Sequence, residues 1–189
     1  MTMHSSGRFC LHIVLGALLL LASAPAWSGL FKVQQASSEL RDGIYHVQAR
    51  FDLRLSKAMR SALENGVTLV FAIEVEIEHP RRFWLNEGVA HLEQRYALSY
   101  HPLTEQYLVT DLNTEIQKNF HSLGAALEYL NRDSALPTID ADLLKPGVRY
   151  IGYIRISLVR SALPLALKVK AYSQKAWRAA SDWKRWRIQ

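Results

Sequence analysis

The chain has 189 residues, 49% of them hydrophobic and 21% charged, with 23 Lys and Arg against 17 Asp and Glu for a formal net charge of +6. Its single cysteine, Cys10, lies in an N-terminal apolar run. Once that run is removed, disulfides, thiol nucleophiles and cysteine metal sites are excluded, and what remains is a chain of single-domain length that needs an ordinary hydrophobic core.

Arg8 supplies a positive start, residues 9–21 an apolar run, and residues 22–28 small and turn-forming side chains. Positive, apolar, small is the order of a secretory signal peptide. Ala26-Trp27-Ser28 sets small residues at the two positions a signal peptidase must accept, so cleavage is expected between Ser28 and Gly29. A cut after Ala24 would leave Pro25 just past the scissile bond. The alternative is an uncleaved anchor in the inner membrane. It is disfavoured because the run is shorter than the roughly 20 apolar residues that span a bilayer, and His12 interrupts it. Cys10 lacks the Leu-x-x context of a lipoprotein site. The expectation is a signal over residues 1–28 and one mature periplasmic domain over 29–189, soluble or peripheral because no second long apolar run follows.

Residues 44–55 alternate, with Tyr45, Val47, Phe51 and Leu53 on one face and His46, Gln48, Arg50 and Asp52 on the other; period two predicts a half-buried strand. Ser56 to Asn65 predicts a short helix with Ser56 as N-cap. Residues 67–78 give the clearest strand, Leu69, Phe71, Ile73, Val75 and Ile77 opposing Glu74, Glu76 and Glu78, and Pro80 ends it. Asn86-Glu87-Gly88 predicts a turn. Alternation resumes over 90–100, breaks at His101-Pro102 and restarts at Gln106, which predicts a hairpin. Ser122 to Asn131 predicts a second helix with Leu123, Ala126, Leu127 and Leu130 on one stripe. Pro137, Pro146 and Gly147 punctuate a loop. Val148 to Val159 predicts a central strand, and Leu165, Leu167, Val169 and Ala171 alternating with Lys168 and Lys170 predict a final amphipathic strand. Six or seven strands at hairpin spacing with two short helices predict a mainly β fold, an antiparallel β-sandwich, immunoglobulin-like in broad architecture.

Chemistry is sparse. His46, His79, His91, His101 and His121 show no i, i+4 pair of a zinc helix; on one extended strand His91 and His101 would stand about 33 Å apart. A row of glutamates on one strand face does not converge on a cation that needs several oxygens, so Glu74, Glu76 and Glu78 are expected to be solvated, with Arg50, Arg54 or Arg95 on a neighbouring strand offsetting them. Asp140 and Asp142 are expected in turn or cap duty rather than acid–base catalysis. Nucleophile-elbow and glycine-rich phosphate motifs are missing. Catalytic residues, metal ligands and cofactors are therefore all expected to be none.

The charge is concentrated in the C-terminal segment 168–189, where Lys168, Lys170, Lys175, Arg178, Lys184, Arg185 and Arg187 face one acid, Asp182. An exported protein meets little nucleic acid, so the counterpart of this excess is an anionic lipid, lipopolysaccharide or an acidic protein surface. Lys175, Arg178, Lys184, Arg185 and Arg187 form the candidate interaction surface. Trp177, Trp183 and Trp186 stand among them and are expected to pack structurally, with the cations reaching outward.

The ordered blocks Leu98-Ser-Tyr100-His101-Pro-Leu103, Tyr107-Leu-Val109, Phe120-His-Ser122-Leu123, Ala126-Leu127-Glu-Tyr-Leu130, Leu163-Pro164-Leu165, Trp177, Ser181-Asp182-Trp183 and Trp186 together resemble the exported proteobacterial family called domain of unknown function 4390. The resemblance covers roughly residues 40–189. It implies no catalytic or ligand-binding residue; it implies a link to a sensor histidine kinase as partner. The resulting expectation is a non-enzymatic periplasmic module that binds another envelope protein through a sheet edge or the basic segment. The alternatives are a peripheral binder of anionic lipid or lipopolysaccharide through that segment, and a hydrolase whose site no motif reveals.

Overall fold

The computed structural model describes residues 29–81, 86–133 and 136–188. The predicted signal and the Ser28 side of its cleavage site fall outside the described residues. Every described strand pairs antiparallel to its neighbours, in two sheets. The smaller has the order β1 (Phe31–Arg41), β2 (Ile44–Leu53), β7 (Thr138–Asp140). The larger has the order β6 (Gln117–Phe120), β5 (Gln106–Asp111), β4 (Glu87–His101), β3 (Leu69–His79), β8 (Tyr150–Leu158), β9 (Lys184–Ile188). Three α-helices join them: α1 (Lys57–Glu64), α2 (Leu123–Glu128, continued by a π-helical turn over Tyr129–Asp133) and α3 (Leu165–Ser173).

The sandwich arises from the period-two faces. Leu69, Phe71, Ile73, Val75 and Ile77 of β3 are buried, as are Tyr150, Ile154, Ile156 and Leu158 of β8. They meet Phe31, Val33, Val47, Phe51 and Leu53 of the smaller sheet, and the Phe31 and Phe71 rings lie 5.7 Å apart across the interlayer. Each such side chain contributes about 1.5–3 kcal/mol by leaving water. The β1–β2 turn at Asp42-Gly43, both with positive φ (51° and 77°), is the two-residue turn whose twist matches its strands. It marks one end of the sandwich. At the other end sit α1, which leads into β3, α3, which follows β8, and the β4–β5 turn. Ser56 Oγ accepts the Met59 N–H at 3.1 Å and caps α1, which buries Met59 and Leu63.

Four expectations are corrected. Residues 165–171 form helix α3, not a strand: an alternating run also satisfies i, i+4, and the helix seats Leu167 and Ala171 on the core while Leu165 and Val169 face out. The described residues accordingly form three α-helices rather than two. Asn86-Glu87-Gly88 is not a turn, because Glu87 already pairs with His79, and a register shift between Ile77 and Glu78 absorbs the irregularity. Arg50 and Arg54 do not offset the β3 glutamates: Arg50 lies on β2 in the other sheet, and Arg54 is paired to Asp52 at 2.9 Å. The strands β1, β6, β7 and β9 were not anticipated, and β7 falls in the stretch expected to be a loop.

One buried polar knot ties the hairpins together. Gln94 Nε2 donates to Asp111 Oδ1 at 2.6 Å, and the same oxygen accepts the Asn113 and Thr114 amides at 2.8 and 3.1 Å. Asp111→Ala orphans the buried Gln94 and unties the turn after β5, and is expected to cost about 2–3 kcal/mol in denaturant unfolding. A loss below about 0.5 kcal/mol would show that the knot carries no stability.

Candidate interaction face

The solvent side of the larger sheet is built by the residues that alternate with its core. On β3 these are Ala72, Glu74, Glu76 and Glu78. In register beside them stand Ser157, Arg155, Tyr153 and Ile151 of β8, with Arg95, Glu93, His91 and Gly88 of β4 on the other flank. Beyond β8, Arg185 lies opposite Tyr153 and Arg187 opposite Ile151 on the edge strand β9. A row of carboxylates is thus bounded by cations on both sides.

Each carboxylate has its own partner. Arg155 grips Glu74 with a two-pronged pair, Nε donating to Oε1 at 3.0 Å and Nη2 to Oε2 at 2.6 Å. The hydrogen bond to Glu74 pushes the Arg155 guanidinium above its ordinary pKa, with burial opposing. His91 Nδ1 lies 3.5 Å from Glu76 Oε1, Asn86 Nδ2 donates to Glu78 at 2.8 Å, and Arg95 pairs with Glu93. Among the described residues no group of three or more His, Asp or Glu side chains gathers around a possible ion.

Trp183 completes the face. Its neighbour Lys184 pairs with Ile154, so alternation places Trp183 beside Arg155 on the outer side. The Arg155 guanidinium carbon lies 4.4 Å from the centroid of the indole ring, a cation–π stack. Trp183 is 37% exposed, so its expected core packing is corrected: it packs on an arginine at the surface. Trp177 and Trp186 are buried. Trp177 sits in a 3-10 turn against α1; Trp186 lies over Gly152 and donates Nε1–H to Ser38 Oγ at 3.1 Å.

The five candidate cations are all exposed, but the fold separates them. Lys184, Arg185 and Arg187 line edge strand β9 beside the face, whereas Lys175 and Arg178 flank Trp177 near the helical end. Two of the three tryptophans of the segment are buried, and Trp183 is the part-exposed one. Asp140 caps a 3-10 turn by accepting the Asp142 amide at 3.0 Å. At the hairpin end, two open clefts share Lys145, Val148 and Tyr150. Their polar groups serve the fold: His79 Nδ1 lies 3.0 Å from the Arg149 carbonyl oxygen, Tyr150 Oη accepts the Lys145 amide at 3.0 Å, and Glu87 is held by Arg81. Among the described residues no Ser or Thr lines either cleft.

No helix among the described residues is long and apolar enough to cross a membrane. The sequence matches the family described as Domain of unknown function (DUF4390) over residues 29–187, and the chain belongs to that family. Searches of curated proteins and of solved structures give no match.

Proposed function

We propose that this member of the DUF4390 family is an exported, non-enzymatic module of the cell envelope that binds another envelope protein through the β3–β8–β9 face. The observation that carries the reading is the Trp183–Arg155–Glu74 stack: a part-exposed tryptophan fixed on an arginine that a largely covered carboxylate on the same outer face holds in place. Tryptophan, tyrosine and arginine dominate the energetic centres of protein interfaces. Here they are pre-positioned on a rigid sheet, which lowers the ordering cost of binding. Tyr153 and Arg185 extend the cluster in the adjacent row. Among the described residues no strand lies beyond β9 in the larger sheet, and edge lysines and arginines discourage indiscriminate strand addition while steering an acidic partner. Export is supported by the signal-like order of residues 1–28, which lies just ahead of the family match over residues 29–187.

Crosslinked affinity purification from the native envelope tests this. The wild type is expected to enrich one protein, a sensor histidine kinase being the first candidate. Trp183→Ala is expected to lose it, and Lys184→Gln/Arg185→Gln/Arg187→Gln to recover it in reduced yield that no longer varies with salt, because the screened steering charges are gone. Equal recovery by all three chains would overturn the assignment of the face.

A further inference from the structure

The second unexplained surface is at the helical end. Helix α3 buries Ala171 and half-buries Leu167 and Lys168, yet the opposite side of the same helix is also apolar: Leu165 is 80%, Val169 74% and Tyr172 52% exposed. At i, i+4 and i+7 these three fall on one stripe. Singly exposed apolar residues need no explanation, but three on one stripe of a nine-residue helix form a second, unpartnered face. Lys168 and Lys170 flank the stripe, and the Arg160 guanidinium carbon lies 4.6 Å from the Tyr172 ring centroid. The stretch from Arg160 to Ser181 holds five cations (Arg160, Lys168, Lys170, Lys175, Arg178) and no acid. α1 adds exposed Lys57 and Arg60 at this end, while Glu64 and Glu105 are also there, so the cationic excess belongs to the α3 segment.

We propose that α3 seats this end of the protein on an anionic lipid bilayer, Leu165, Val169 and Tyr172 entering the headgroup boundary while Lys168, Lys170, Lys175 and Arg178 face lipid phosphates. The charge pattern selects the occupant. A stripe of apolar side chains bordered by lysines, with an aromatic hydroxyl at one end, is the composition of an interfacial helix. An acid-free run of cations complements a surface of phosphates. The stripe stands outward on a helix, which suits a planar bilayer. With three inserted side chains the attachment is reversible, and it uses a different surface from the β3–β8–β9 face, so it holds or fails independently of the partner reading.

The test is vesicle co-sedimentation of the chain from Gly29 to Gln189, which contains every described core residue and the whole family match. Vesicles of phosphatidylglycerol with phosphatidylethanolamine are compared with phosphatidylcholine alone, at about 0.05 and about 0.5 M salt. Expected are binding to the anionic vesicles that weakens with salt, a loss of at least about tenfold for Leu165→Ser/Val169→Ser from the removed apolar insertion, and about fivefold per lysine for Lys168→Gln/Lys170→Gln. Both variants change surface positions, and unchanged thermal melts verify their folding. Lys184→Gln/Arg185→Gln/Arg187→Gln is expected to bind as the wild type. Absence of binding, equal binding to both vesicle types, or loss with the β9 variant in place of the α3 variants would overturn the proposal.

Discussion

Gly152→Ala is expected to destabilise the protein by about 3 kcal/mol, within the range for forcing extra volume into a packed core and near the 3–5 kcal/mol expected of Trp186→Ala. A methyl group at Gly152 would stand 2.3, 2.4 and 2.6 Å from three ring carbons of Trp186, where carbons in contact prefer about 3.5–4.0 Å. The ring has no easy escape. It is 7% exposed, opposite Gly152 in the β8–β9 register, and tied by its N–H to Ser38 on β1. Moving it loosens the contact that joins the edge of one sheet to the edge of the other. The sign of the effect is informative, since glycine within a strand is ordinarily a weakness that alanine relieves by about 0.5–1 kcal/mol. For a domain of this size the loss corresponds to a drop of about 6–12 °C in Tm. In the double variant Gly152→Ala/Trp186→Ala the obstruction is gone, so it is expected to melt no lower than Trp186→Ala alone. A neutral or stabilising Gly152→Ala would show that the tryptophan is not seated there.

Trp183→Ala, three residues away, is expected to behave in the opposite manner. The side chain is part-exposed and its main contact is the Arg155 guanidinium, so the stability loss is about 0.5–1 kcal/mol, the worth of an exposed cation–π stack. The effect on partner affinity is expected to be about 2 kcal/mol or more, roughly thirtyfold, as for an aromatic at the centre of an interface. Arg155→Ala separates the contributions. It removes the stack's support and leaves Glu74, whose side chain is 15% exposed, without its ion-pair partner, so both stability and affinity should fall. Calorimetric melts and binding titrations run on the same three chains distinguish these patterns; Trp183→Ala losing stability and affinity in proportion would make it a structural residue only.

Much of the architecture was legible because burial imposes period two. β2, β3 and the 90–100 stretch of β4 carry the alternation, β8 reads as a central strand because it is apolar on both faces, and Ser56 and Ser122 cap their helices as serine before an apolar stripe should. β1 escaped because its alternation changes phase: the register with β2 shifts between Val33 and Gln35, and the residues beyond are largely polar on an edge strand. The Asp42-Gly43 pair was the signal that could have found it. β9 escaped because its cations read as a tail, although Trp186 and Ile188 alternate with Arg185 and Arg187. For α3, nine residues are too few to distinguish period two from a helix apolar on two sides.

The candidate face was less legible for a different reason. Each of its residues was visible, but their assembly depends on strand order. Glu74 and Arg155 are 81 positions apart, and only the adjacency of β3 and β8 brings them together. The expected counter-charges on β2 were plausible by residue type and wrong by sheet. Trp183 was grouped with two buried tryptophans because all three share a segment, whereas the half-turn of each successive strand residue sends Trp183 outward and Trp186 inward.

The most direct measurement is photocrosslinking in the living cell, with a photoreactive phenylalanine analogue placed at position 183 in one chain and at position 50 in another. Arg50 is exposed on the outer side of the smaller sheet, well removed from the β3–β8–β9 face. A discrete crosslinked protein from position 183 and none from position 50 is the expected result. The same product from position 50, or no product from position 183, would contradict the assignment of this face as the binding surface.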